Sequence, residues 1–178
     1  EQACVKLKIG RRVLFAKLSV MPEAEDFHLG QFLYDNFSYT PEHRNDVSAP
    51  DVDGLPISQV SAFSIDDAAT TEIDDAFSLT GDENVGWRLG VHIAAPGLCI
   101  VADSALDREL RSRMSTVYHP AGKVTMSPPS IIEQFSLSQG RTVPVVSLYA
   151  DIDPEFAVSR IETVIEALNV TDNLDLSV

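Results

Sequence analysis

Positive charge is scarce in this chain. Thirteen lysines and arginines face 27 aspartates and glutamates in 178 residues, a net charge of −14. A surface of that sign does not draw in a phosphate backbone unaided. A nucleic-acid partner would need metal ions, local basic patches or further domains to attract it. Long apolar runs are lacking too. The best candidate, 85–102, is broken by Arg88 and His92, and nothing reaches the roughly 18 uncharged apolar residues of a membrane span. The N-terminus holds no apolar stretch of the secretory kind, so a cytoplasmic protein is expected. Cysteine is rare: Cys4 and Cys99 lie far apart in apolar contexts. They read as buried thiols of a reducing compartment rather than as a disulfide. Internal repeats and low-complexity tracts are missing as well.

What is present is an ordinary globular composition, 44% hydrophobic and 22% charged, long enough for one domain with a sizeable core. Two basic patches interrupt the acidity. One is Lys6, Lys8, Arg11, Arg12 and Lys17; the other is Arg108, Arg111, Arg113 and Lys123 around Tyr118. Each reads either as a solvated face or as a contact for a polyanion.

The pattern of residues predicts two short strands over 1–20, turning at Gly10-Arg11, and a helix from Pro22 to about Phe37. A connection rich in proline, Asp and Asn spans 38–56, with a domain boundary near 55. Strands are expected over 60–65, 76–79 and 87–94, with Trp87, Leu89, Val91 and Ile93 on one face. A turn is expected at 81–84. Ser104 is the expected N-cap of a helix through Met114, with Asp107 at the third position and a stripe of Leu106, Leu110 and Met114. Pro128-Pro129 opens a short helix through Phe135. Strands over 143–152 and 156–165 form a hairpin at Asp153-Pro154. The fold class is α+β: sheet-rich, with helices packed on the sheet.

The most informative stretch lies between the first two of these later strands. Asp66, Asp67, Glu72, Asp74 and Asp75 place five acids and no base in ten residues. Phe63, Ile65, Ala76 and Phe77 flank them and anchor them to a core. Carboxylates repel at that density, and Mg²⁺ or Mn²⁺, which prefer hard oxygen donors, are a common reason to tolerate it. Asp66 at a strand end, Glu72, and one of Asp74 and Asp75 could converge on one site. The two neighbours of a strand point to opposite faces and would not share an ion symmetrically. Such a set suits phosphodiester hydrolysis with two ions about 3.5–4 Å apart. The spacing lacks the glycine and glutamate of an EF-hand. A catalytic metal site, a structural metal site and a solvated turn all remain open on spacing alone.

The run Ser64-Ile65-Asp66 through Thr71-Glu72-Ile73-Asp74-Asp75-Ala76 resembles the signature of the ribonuclease II family, in its RNB catalytic domain. Further segments match in order: Gly90-Val91-His92-Ile93-Ala94, the stretch Asp103 to Arg113, Val117-Tyr118-His119-Pro120, Met126-Ser127-Pro128 and Ser136-Leu137-Ser138-Gln139-Gly140. The likeness runs from about 60 to about 166. It implies a 3′→5′ exoribonuclease that hydrolyses single-stranded RNA processively with Mg²⁺ or Mn²⁺ and releases nucleoside 5′-monophosphates. Carried over by motif position, Asp66 and Asp75 resemble metal ligands, and Asp74 the family's most sensitive catalytic aspartate. Glu72 stands where many members have aspartate. Tyr118 matches a tyrosine that stacks on bases, a sequence-tolerant contact, and Arg113 beside it is the companion candidate for RNA contact.

The resemblance has limits. Ala95 stands where many members carry an aspartate, and His92 reads as structural. The family's domain is longer than this chain and continues into channel residues and, usually, an S1-type RNA-binding domain. Residues 1–55 show no recognisable cold-shock barrel. The chain therefore reads as the tail of an N-terminal region plus linker (1–55), then the N-terminal half of an RNB catalytic domain (56–178). A competing reading of another class is a non-catalytic RNA-binding or scaffold module on the same fold. A weaker one is a metal-dependent phosphoesterase of small substrates.

Overall fold

The computed structural model describes residue 32 and residues 52–68, 70–119 and 122–175. The expected N-terminal strands, the expected helix save for Phe32, which is helical, the first basic patch, Cys4 and most of the 38–56 connection lie outside the described residues. Those described fall in two compact units: one within Arg44–Asp107 and Ser127–Val178, the other holding Phe32 and Arg108–Met126.

The larger unit is built on five strands: β1 (Ala62–Asp66), β2 (Asp75–Asp82), β3 (Gly86–Ala94), β6 (Thr142–Ile152) and β7 (Val158–Asp175). They close into a barrel in the order β1-β2-β3-β6-β7. Every neighbouring pair is antiparallel except β1 and β7, which run parallel and complete the ring. Closure through β1 gives every strand of the barrel a neighbour on both sides over part of its length, which limits the edge available to another chain. The α+β, sheet-rich expectation holds. The expected hairpin at Asp153-Pro154 is the β6–β7 turn.

Alternation was legible, but its polarity was not. Trp87, Leu89, Val91 and Ile93 do share a face of β3, and that face looks outward: Ile93 is 46% exposed. The inward face of β3 carries Gly90 and His92, both buried. A barrel this narrow has room inside for glycine and short polar groups. An alanine at Gly90 would place its Cβ 2.3 Å from Ser78 Oγ and 2.7 Å from His92 Nε2. Ser64, Ser78, His92 and Ser147 fill the middle. His92 Nδ1 lies 2.8 Å from Ser147 Oγ and Nε2 lies 2.9 Å from Ser78 Oγ, so both ring nitrogens are satisfied. At one end the interior is apolar, closed by Ile73, Ala76, Leu137, Val143, Val145, Leu168 and Val170. Toward the other end it becomes polar and then charged. Tyr149 donates to Glu166 Oε1 at 2.6 Å, and the Arg88 guanidinium lies 4.5 Å above the Tyr149 ring.

The β2–β3 turn is displaced slightly from expectation, to 83–85. Asp82 makes it: its Oδ1 accepts from the backbone N–H of Asn84 (2.8 Å) and of Val85 (3.2 Å). Those donors, Asn84 first, lower the Asp82 pKa. Between β3 and the first helix, Pro96–Leu98 forms a single 3₁₀ turn, and Cys99 is a half-buried free thiol.

Helix α1 (Ala105–Arg113) begins as expected, with Ser104 Oγ accepting from Asp107 N–H at 3.1 Å. The reciprocal bond goes one residue further back: Asp103 N–H donates to Asp107 Oδ2 at 2.7 Å. Leu106 is buried, but Met114 does not continue the stripe. It ends the helix in the left-handed region (φ 65°) and is 80% exposed. In the smaller unit β4 (Val117–His119) and β5 (Gly122–Val124) form a two-stranded ribbon. Helix α2 (Pro129–Phe135) opens on its proline as expected, burying Ile131 and Phe135. Arg141 closes its C-terminus by donating to the carbonyls of Glu133 and Gln134.

Candidate functional site

The topology gathers the acidic segment at the apolar end of the barrel. β1 ends on Asp66 and the antiparallel β2 begins on Asp75, so both stand at the same rim. The chain between them is pinned by its backbone. Ile73 is buried, its N–H donating to Ser136 Oγ at 3.1 Å and its carbonyl accepting from Leu137 N–H at 2.9 Å. The Asp74 carbonyl accepts from Ala94 N–H at 2.9 Å, which ties the segment to the end of β3. Asp67 closes a small turn through Thr70 N–H at 2.8 Å. Of the four expected anchors Ala76 is buried, Phe63 and Phe77 are half-buried and Ile65 is 48% exposed; Ile73, inside the acidic segment, supplies the rest of the hold.

With Ile73 drawn inward, Asp74 and Asp75 both lie exposed, while Asp66 and Glu72 are half-buried. The expected convergence of three carboxylates is not met. Among the described residues no group of three or more His, Cys, Asp or Glu side chains is gathered so as to hold a metal ion. The donor chemistry, all hard carboxylate oxygen, suits Mg²⁺ or Mn²⁺; the present separation of the groups does not yet make a coordination shell. Ala95 is buried and its N–H donates to the Pro144 carbonyl at 3.0 Å. It braces the rim but brings no carboxylate.

Two contributors were missed from the sequence. Asp175 ends β7 and pairs in register with Asp66, adding an acid to this rim from about a hundred residues away. Only the parallel β1–β7 pairing reveals it. Asn173 is the second. Its Nδ2 donates to Ser64 Oγ and to the Leu137 carbonyl, both at 2.9 Å, and its Oδ1 accepts from Gln139 N–H at 2.6 Å. It stitches β7, β1 and the Ser136–Gly140 turn together beneath the acids. The Ser-Leu match in the sequence marked that turn without disclosing its purpose, which is to hold Ile73.

His92 is structural, as expected. Burial pushes its pKa down, opposed by the negative charge of Glu166. In the smaller unit Tyr118 is 76% exposed, on β4 directly across from Lys123. Arg113 pairs with Glu109 at 2.5 Å and donates to the carbonyls of Thr125 and Met126, both at 3.3 Å. In this arrangement its guanidinium fixes the end of the Tyr118 ribbon to α1.

With this geometry established, likeness to known proteins becomes informative. The model of the RNB domain matches residues 56–169. Ribonuclease R of Chlamydia muridarum is 31% identical over 122 residues, covering 67% of this chain and 16% of that protein. Among solved structures, yeast Ssd1, described as a pseudonuclease, superposes with a TM-score of 0.66 at 18% identity, over 75% of this chain and 18% of that one. Mycoplasma genitalium RNase R in complex with ribose-methylated single-stranded RNA gives 0.64 at 16% identity, over 92% of this chain and 24% of that one. These two structures carry the fold alone. The chain spans about a sixth of the length of the ribonuclease R it matches.

Proposed function

This chain belongs to the RNB-domain family, and we propose that it serves in a metal-dependent 3′→5′ exoribonuclease that degrades single-stranded RNA to nucleoside 5′-monophosphates. The observation that carries the reading is the acidic rim. Five acids without a base, on a segment hydrogen-bonded at Ile73 and Asp74 to two other parts of the barrel, are held where a solvated turn would need no such support.

Asp66, Glu72 and Asp75 are the residues proposed to hold Mg²⁺ or Mn²⁺, with Asp74 as the most sensitive of the set. A bound divalent ion would supply an activated water and offset charge building on the phosphate. The protein's own part is positional. β1 and β2 fix the two ends of the segment, Ile73 keeps its middle from swinging outward, and the exposed face of Asp74 and Asp75 stays open to a substrate strand. Tyr118, exposed beside Lys123, supports base stacking of the sequence-tolerant kind. Arg113, occupied by Glu109 and two carbonyls, supports a role in orienting the Tyr118 ribbon. A cytoplasmic location is part of the same proposal.

The test is an assay of the full-length protein on 5′-labelled single-stranded RNA with Mg²⁺. A ladder shortening from the 3′ end, abolished by EDTA and restored by Mn²⁺, is expected. Two findings favour a second reading: the fold is shared with a pseudonuclease, and the described acids form no ready coordination group. A non-catalytic RNA-binding module would bind the labelled RNA, lose that binding on Tyr118→Ala, and leave the RNA at full length with every metal.

A further inference from the structure

The opposite end of the barrel carries a different surface. There the β2–β3 and β6–β7 turns meet: Trp87 pairs with Ile152 and Arg88 with Asp151. A Cβ on Gly86 would fall 2.3 Å from the Ile152 carbonyl oxygen, so the two turns touch through their backbones. Phe156, in the β6–β7 turn, stacks on Trp87 with ring centroids 5.1 Å apart and planes 18° from parallel. One ring face is covered; Phe156 is nonetheless 76% exposed. Asp153 fixes the turn that presents it, its Oδ1 accepting from Ala157 N–H at 2.8 Å and its carbonyl from Phe156 N–H at 2.9 Å. Beside the aromatic pair lies a cleft of about 340 Å³, lined by Trp87, Arg88, Gly86, Asp151, Asp153 and Ser159.

The charge around this cleft is one-sided. Asp82, Glu83, Asp151, Asp153, Glu155 and Glu162 are countered by Arg88 and Arg160. Both of these bases are engaged with acids of the same patch. Arg88 pairs with Asp151 at 2.9 Å and with Glu162 at 3.0 Å, and Arg160 with Glu162 at 3.2 Å. A phosphate backbone finds nothing to pair with here and is repelled. An arginine side chain finds both things it needs. Its planar guanidinium stacks on an open aromatic face, and its donors reach carboxylates. The patch also continues into the outward apolar row of Trp87, Ile152 and Val158, which suits the apolar neighbours of such an arginine.

We propose that this end of the barrel is a docking surface for a partner protein, taking a basic segment that lays an arginine on Phe156 beside Trp87 and the carboxylates of the two turns. It lies at the other end of the barrel from the acidic rim and does not rest on the nuclease reading.

Trp87 is the chain's single tryptophan, so its fluorescence reports on the surface directly. The 178-residue chain is titrated with a blocked Arg-Ile-Arg-Val-Arg peptide, with its lysine and glutamate counterparts, and with an oligouridylate. A saturable change with the arginine peptide is expected. It should weaken by about tenfold in Phe156→Gly, where a cation–π contact is removed, and weaken in Glu155→Gln and with added salt. Glycine suits the left-handed backbone at 156 (φ 64°), so the variant retains the turn. No saturable change with the arginine peptide, or an equal one in Phe156→Gly, overturns the proposal. A response to oligouridylate with none to the arginine peptide also overturns it and assigns the surface to nucleic acid.

Discussion

His92 shows how much a single residue can disclose about conditions. It is buried, held neutral between two serine hydroxyls, and its folded pKa lies below the ordinary 6.5. The unfolded chain therefore takes up a proton at His92 before the folded one does. By linkage, stability is unaffected by this group well above pH 6.5 and falls as pH drops through 6.5 toward the lower folded value. The thermal midpoint should decline between pH 7.5 and 5.5, and His92→Gln should flatten that decline; parallel slopes in the two proteins would refute the assignment. Ser136 is a second such residue. Removing its hydroxyl leaves the buried Ile73 N–H without its acceptor, a loss of about 1–3 kcal/mol. Ser136→Ala should lower the urea midpoint and reduce exoribonuclease turnover, while Ser136→Thr retains both. Unchanged turnover in the alanine variant would show that Ile73 needs no such anchor.

Among the elements, the hairpins are the most constrained. Gly86 combines φ 89° with a Cβ position 2.3 Å from a backbone oxygen that cannot step aside. Gly86→Ala should destabilise by about 2–4 kcal/mol, combining left-handed strain with overpacking. Chemical denaturation checks this, and a loss below half of the lower figure would mean the turns can separate. Existence and type of elements were well marked in the sequence: β1, β2, β3, α1, α2, β6 and the β6–β7 turn fall within a few residues of expectation, but β7, expected to end at 165, runs on to Asp175. Their inward faces were not. The rule that apolar residues face the core reads β3 the wrong way round, because a five-stranded barrel is too narrow for Trp87 and Leu89 and admits Gly90 and His92 instead. The acids were legible as a cluster, since they are adjacent in the chain. Asp175 and Asn173 were not, because only ring closure by β7 brings them to the same rim.

For the larger unit as a whole, the outward face is a consequence of that inversion. Register places Ile93, Val146 and Ile165 in one row, Val91, Leu148 and Thr163 in the next, and Leu89, Ala150 and Ile161 in the one after. Ile165 and Ile161 are exposed, as are Ile93 and Val146. Contiguous apolar surface of this kind promotes association. The 178-residue chain should bind an apolar dye and self-associate with rising concentration, and Ile93→Thr with Ile165→Thr should reduce both. A monomer that ignores the dye would contradict this. The apolar face, the arginine surface at one end and the acidic rim at the other give the barrel three distinct regions, and the rim carries the central claim. Its most direct test is cleavage of 5′-labelled single-stranded RNA by the full-length protein beside Asp74→Asn, with RNA binding measured in parallel. The account predicts binding kept and cleavage reduced by about a thousandfold, as befits loss of a group at the reacting phosphate. Cleavage at the original rate in Asp74→Asn would contradict it.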